Sequence, residues 1–198
     1  MIFEVFQILK EQINHYFEEV GLENSELVID NIALAEGAAE ASDGMRDKMV
    51  LTLVNLHEEG TLKNFSNHNV SINKVQYRNR VINLHLFLLF SANRSVYSNS
   101  LIDLSAVINF FQGKKRFTQA NTVFNRELEA MENVGDFNFT IELYTPTFEE
   151  MNFIWGTLGG KQLPCVLYQL NLLPMERDKT HGEGPLIESV HSDVKTKN

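Results

Sequence analysis

Gly156-Thr-Leu-Gly-Gly-Lys161 has the glycines and the lysine of a phosphate-binding loop. Such a loop needs a glycine five residues before the one preceding the lysine, and Ser or Thr after it. Trp155 and Gln162 stand at those places, and the segment follows a helical pattern instead of a strand, so phosphate chemistry is rejected. His181-Gly-Glu-Gly184 resembles the oxyanion loop of esterases, whose backbone N–H groups meet a developing negative charge. No Gly-x-Ser-x-Gly elbow accompanies it, and coincidence is the better account. Cys165 sits among apolar strand residues, where a thiol is an inert small hydrophobe and not an activated nucleophile. His57-Glu58-Glu59 and His68 could offer ligand atoms, but no His-x-x-x-His or comparable spacing fixes a coordination geometry, so neither metal nor cofactor is expected. Phe148, Phe153 and Trp155 read most simply as core anchors, with a second reading for the Trp, beside its Gly-Gly turn, as an interface hot spot.

The elements that would position these residues follow from composition and periodicity. A chain of 198 residues, 43% hydrophobic and 22% charged, fits one domain with its own core. Its net charge of −9 repels phosphate backbones and anionic lipid, which argues against nucleic-acid binding. One cysteine allows no internal disulfide and fits a reducing, cytosolic origin. The best apolar run, Leu84 to Phe90, is far shorter than the roughly 20 residues of a membrane span. No cleaved secretory signal is expected at the N-terminus, so the sequons at Asn64, Asn69, Asn93 and Asn138 read as chance.

From Ile2 to Val20 apolar residues recur at helical steps (Ile2, Phe6, Leu9, Ile13, Tyr16, Phe17, Val20), and Gly21 can stop the helix in the left-handed conformation. This stripe is read as core, or as a docking face for a neighbouring subunit. Leu27 to Ala33 reads as a short strand, followed by a small-residue acidic loop; Met49 to His57 is apolar on both parities and reads as a central strand. Gly60 to Asn79 is a polar, Asn-rich excursion expected to be an exposed binding loop. Val81 to Phe90 alternates strictly and is the clearest strand. Ser95 offers an N-cap for a helix with Tyr97, Leu101, Leu104, Ile108 and Phe111 on one face, ending at Gly113 before Lys114-Lys115-Arg116. Those cations compensate the helix dipole or form a contact patch for an acidic partner. Phe137 to Leu143 reads as a strand, Thr147 with Glu150 as a capping box, Gly159-Gly160 as that helix's stop through positive φ, and Cys165 to Leu173 as a last strand that Pro174 ends. Met175 to Asn198 is too poor in apolar residues to order itself and reads as a flexible tail. The order predicts a single α+β domain over residues 1–174, with helices flanking a mixed or antiparallel sheet, and a tail over 175–198 that is flexible or ordered on a partner.

Several stretches together resemble a known family: Asp30-Asn31-Ile32-Ala33, the strand from Lys48 to Glu59, Leu84 to Asn93, and above all Phe148-Glu-Glu-Met-Asn-Phe-Ile-Trp-Gly-Thr-Leu-Gly-Gly-Lys-Gln-Leu-Pro164 followed by Val166-Leu-Tyr168. The family, once a domain of unknown function, comprises tail-terminator or cap proteins of contractile injection systems, and the resemblance covers Ile2 to Leu173. It implies a structural protein without catalytic residues, a homo-hexameric ring on the distal end of an inner tube, and attachment to the last sheath layer. Inner-tube and sheath proteins are then the partners, with no nucleic acid and no membrane insertion. Assembly is expected in the bacterial cytoplasm, followed by residence in the particle. The interface candidates are Lys114, Lys115 and Arg116 in the basic turn, Asn64 and His68 in the excursion, and Met175, Arg177, Leu186 and Ile187 in the tail. The tail, or a nearby edge strand, is expected to join sheath by strand addition. A small-molecule or peptide-binding module, and an enzyme using Cys165 or a histidine, are the competing readings.

Overall fold

Helix α1 (Ile2–Glu19) forms where the three- and four-residue spacing places Val5, Phe6, Ile8, Leu9, Ile13 and Phe17 on one buried side. It ends as expected at Gly21, whose φ is +78°. The Gly21 N–H donates to the Glu18 carbonyl (3.1 Å) and the Leu22 N–H to the Phe17 carbonyl (2.8 Å), the paired closure that a left-handed residue makes possible. In this computed structural model the described residues are 1–37, 42–60, 68–71, 74–78, 81–132, 134–159, 161–175 and 180–185.

The remaining elements are β1 (Leu27–Ile29), a short 3-10 helix (Ile32–Leu34), β2 (Lys48–Glu58), β3 (His68–Ser71), β4 (Lys74–Arg78), β5 (Ile82–Asn93), α2 (Tyr97–Gly113), β6 (Arg116–Thr118), α3 (Glu129–Glu132), β7 (Asn138–Tyr144), α4 (Phe148–Thr157), β8 (Cys165–Met175) and β9 (Thr180–Pro185). Six strands make one mixed sheet in the order β1-β2-β5-β8-β7-β6. β1 runs parallel to β2, while β2–β5, β6–β7 and β7–β8 are antiparallel. This is the α+β class expected.

The middle of the sheet is buried on both faces. On one side Met49, Leu51, Leu86, Leu88, Phe90, Ile141, Tyr168 and Leu170 meet α1 and α2 in the larger core. Its aromatic centre joins Phe111 to Tyr168 (ring centroids 4.5 Å apart) and Phe117 to Phe139 (5.2 Å, stacked). On the other side Val50, Leu89 and Leu167 meet Ile32 and Trp155 in a smaller core. Alternation along β2 and β5 assigns successive residues to the two cores, which explains why β2 is apolar on both parities.

The capping box at α4 is present: the Thr147 hydroxyl accepts from the Glu150 N–H (3.2 Å) and the Glu150 carboxylate from the Thr147 N–H (2.8 Å). Gly159 has φ +114°, as the helix stop requires. Four expectations need correction. Only Leu27–Ile29 of the first strand pairs; Asn31 caps the following 3-10 turn by accepting from the Ala33 N–H. Ser95 does not cap α2: its N–H and hydroxyl both donate to the Asp47 carboxylate, and Val96 takes the cap position. Those two bonds, the backbone one foremost, hold the Asp47 carboxyl below the usual carboxylate range. The expected apolar stripe of α2 is largely turned outward, because the helix buries Ser100, Asp103, Ala106, Val107, Phe110 and Phe111 instead. Finally, β8 runs through Pro174 to Met175.

Residues 59–83 and 174–198 form a compact unit of their own, with the three-stranded sheet β3-β4-β9. β3 and β4 make an antiparallel hairpin inside the excursion read as a loop, and β9 pairs antiparallel with β4 within the segment read as a tail. Strand addition satisfies backbone donors and acceptors and needs no apolar run, so a composition argument misses it.

Asp103 is the buried charge that ties α2 to the sheet. Its carboxylate accepts from the Ser25 hydroxyl (2.6 Å) and pairs with the Arg94 guanidinium (3.2 Å), which also donates to the carbonyls of Asn24 (2.9 Å) and Asp47. Burial pushes the Asp103 carboxyl above the usual range, against the pull of Ser25 and Arg94. Asp103→Ala, which leaves Arg94 without its partner, is expected to lower stability by about 3–5 kcal/mol in urea denaturation, and Asp103→Leu with Arg94→Met by much less. Cys165 lies half-buried in the smaller core, its Sγ 4.0 Å from the Met151 sulfur, and burial pushes its thiol up. Burial thus disfavours the reactive thiolate, so alkylation of the folded chain by iodoacetamide is expected to be at least about tenfold slower than in urea.

Candidate interaction surfaces

α2 presents an outward face with no charge. Asp103 is the helix's one charged residue and is buried, while Tyr97, Leu101, Ile102 and Ile108 are exposed among Ser98, Ser105, Asn109 and Gln112. A solvated helix face is ordinarily rich in charge, so an uncharged one is a candidate contact surface. Past the C-terminal end of α2 the sheet is not covered either. Ile108, Phe111 and Lys115 border a groove of about 400 Å³ with Ile141, Leu143 and Tyr168. Leu143 shares the parity of buried Phe139 and Ile141 yet is 55% exposed, because no helix reaches it.

On the opposite face of the sheet, α4 buries Trp155 but shows Phe153 to solvent and leaves Phe148 99% exposed. Trp155 is the core anchor expected; Phe148 and Phe153 are not, because Phe153 lies on the opposite side of the helix from Trp155, and Phe148, about two turns before Trp155 at the first helical position, stands clear of the core. Glu149 follows Phe148 and is exposed, with no ion pair among the described residues.

The candidates read from sequence part company here. Lys114 is a brace: its half-buried Nζ donates to Gln12 Oε1 (2.7 Å) and the Asn121 carbonyl (3.0 Å) and lies 4.9 Å from the Phe117 ring centroid. Burial pushes its pKa down. Arg116 donates to Asn138 Oδ1 (3.0 Å) across β6 and β7. Lys115 is exposed, borders the groove and has no side-chain partner among the described residues. Met175 closes β8 and is half-buried, and the backbone of His68 opens β3. Asn64, Arg177, Leu186 and Ile187 lie outside the described residues. Lys161, the lysine of the phosphate-loop lookalike, is ion-paired with Glu36 (2.5 Å). Among the described residues no cluster of three or more His, Cys, Asp or Glu could hold a metal, and no helix is long and apolar enough to cross a membrane.

Sequence reasoning missed the bare face of α2 because its apolar residues surround the helix and leave the buried side undetermined. The one signal was Asp103, the single charge in 17 residues, read without its partner Arg94. Nothing in the spacing of Ser25, Arg94 and Asp103 links them.

Comparison with known proteins adds the family. In fold the chain is similar to the sheath/tube terminator, in its extended state, of the extracellular contractile injection system PVC, with a TM-score of 0.61 and 12% identity over 100% of this chain and 64% of that one. It is likewise similar to the tube terminating cap of the anti-feeding prophage, with a TM-score of 0.60 and 14% identity over 96% of this chain and 60% of that one. The chain thus spans less than two thirds of the length of either structure. No curated protein matches it. Residues 4–189 match the family described as the Pvc16 N-terminal domain. This match covers the stretches that carried the resemblance, Phe148 to Pro164 included, and the chain belongs to the Pvc16 N-terminal domain family.

Proposed function

We propose that this chain is the structural terminator of a contractile injection particle, a cap that ends the inner tube and joins the last layer of sheath. The observation that carries the reading is the likeness of fold, over the whole chain, to a sheath/tube terminator and a tube terminating cap, together with membership of the family. The role needs no reaction. A terminator works by matching the sixfold end of a tube on one side and offering no equivalent surface on the other, so that growth stops for want of complementarity. Six copies in a ring meet that symmetry. The uncharged face of α2 and the exposed phenylalanines of α4 supply surface for such contacts. β9 is an edge strand of its sheet, which supports sheath attachment by strand addition through it or through residues 186–198. Assembly takes place in the bacterial cytoplasm, before the cap resides in the particle.

Gold-labelling this chain in isolated particles is expected to mark one end of each. Label along the length would make it a tube or sheath subunit, and unlabelled particles would overturn the reading. Deleting residues 186–198, which spares β9, is expected to detach the cap from sheath while leaving the fold intact by circular dichroism; full attachment would remove the tail from the mechanism.

A further inference from the structure

The two uncovered surfaces differ in kind and lie on opposite faces of the sheet. One is a knob: Phe148, fully out in solvent at the start of α4, with the carboxylate of Glu149 beside it, which has no ion pair among the described residues. The other is the groove at the end of α2, walled by Ile108, Phe111, Ile141, Leu143 and Tyr168, with the ammonium of Lys115 at its rim, likewise without an ion pair among the described residues. Glu142 also borders the groove, but its carboxylate accepts from Asn171 Nδ2 (3.4 Å), a residue in register with Thr140 on the other side of β7. An apolar knob beside an anion and an apolar groove beside a cation are complementary in character and charge, and no chain can fill its own groove with a knob carried on the opposite face of its own sheet.

We infer that Phe148 of one copy seats in the α2 groove of the next, with Glu149 against Lys115. The occupant is a second copy of this chain, and the inference rests on the terminator reading in that it supplies the lateral contact of the ring. Two unlike patches make a heterologous contact, which propagates head to tail and closes into a ring when the rotation permits; an isologous contact would stop at a dimer. One phenylalanine does not fill the roughly 800 Å² per partner of a stable interface. The rest comes from the uncharged face of α2 beside the groove, Leu101, Ile102 and Ser105 included, which meets no repulsion from a partner of the same sign.

The test is the size distribution of the full chain by sedimentation velocity at on the order of 100 μM, with circular dichroism as a check on folding. Wild type is expected to form closed rings. Phe148→Ser and Leu143→Glu, both at exposed positions, are each expected to weaken association on the order of 30-fold or more, as loss of a central hot spot does. Mixed together, the two variants share one intact knob and one intact groove and are expected to give a one-to-one dimer and no ring. Lys115→Glu and Glu149→Lys are expected to weaken association singly and to restore it when combined in one chain. Rings that persist in both Phe148→Ser and Leu143→Glu would overturn the contact and leave the terminator reading standing. A mixture that yields no dimer, or a wild type that stays monomeric, would overturn it as well, and end-labelling of particles would then decide the terminator reading separately.

Discussion

β5 has no free face. From Leu86 to Ala92 its residues alternate between two cores, Leu86, Leu88, Phe90 and Ala92 toward α1 and α2, Phe87 and Leu89 toward α4. Slipping its pairing with β2 by one residue would exchange the two sets and expose both, so the register is held by the whole apolar content of the strand. The helix layers follow from that constraint, since a sheet apolar on both sides must be covered twice. The sequence commits fewer helical residues to the second side, where α4 and a 3-10 turn suffice, than to the first, where α1 and α2 together span most of the sheet. Each cover stops short of the sheet's end, and that shortfall exposes Leu143 on one face and leaves Phe148 standing clear at the head of α4.

The polar interior serves the same layering. α2 carries almost nothing to hold it in rotation about its own axis, because apolar residues surround it. Asp103, turned inward to Ser25 and Arg94, sets which side is buried. A paired charge in that place adds little net stability but specifies orientation, and the orientation decides that Tyr97, Leu101, Ile102 and Ile108 face outward. The uncharged outward face is thus a by-product of a buried ion pair on the opposite side of the same helix.

What was legible in the sequence follows this division. Where a local rule has one solution, it reads correctly: the left-handed stop at Gly21, the capping box of Thr147 and Glu150, and the alternation of β5 need no knowledge of distant residues. Where two solutions have similar local merit, a long-range contact chooses. Ser95 is a good cap by type, but the Asp47 carboxylate, 48 residues away in the chain, takes its hydroxyl and its N–H. β9 is formed from a Gly-rich segment that offers no periodicity at all, because its partner β4 supplies the ladder. Of the basic turn, Lys115 has no side-chain partner among the described residues; Lys114 and Arg116 are taken by Gln12, Asn121 and Asn138, contacts invisible to spacing.

The charge distribution bears on the terminator role proposed above. The chain carries 26 acidic against 17 basic residues, yet the outward face of α2 carries none of them. In the ring proposed above, copies meeting through that face would do so without charge repulsion. A tube subunit must offer complementary surfaces at both of its axial ends, whereas the cap proposed above needs only one such end, and an uncharged face confined to one helix is in keeping with that role.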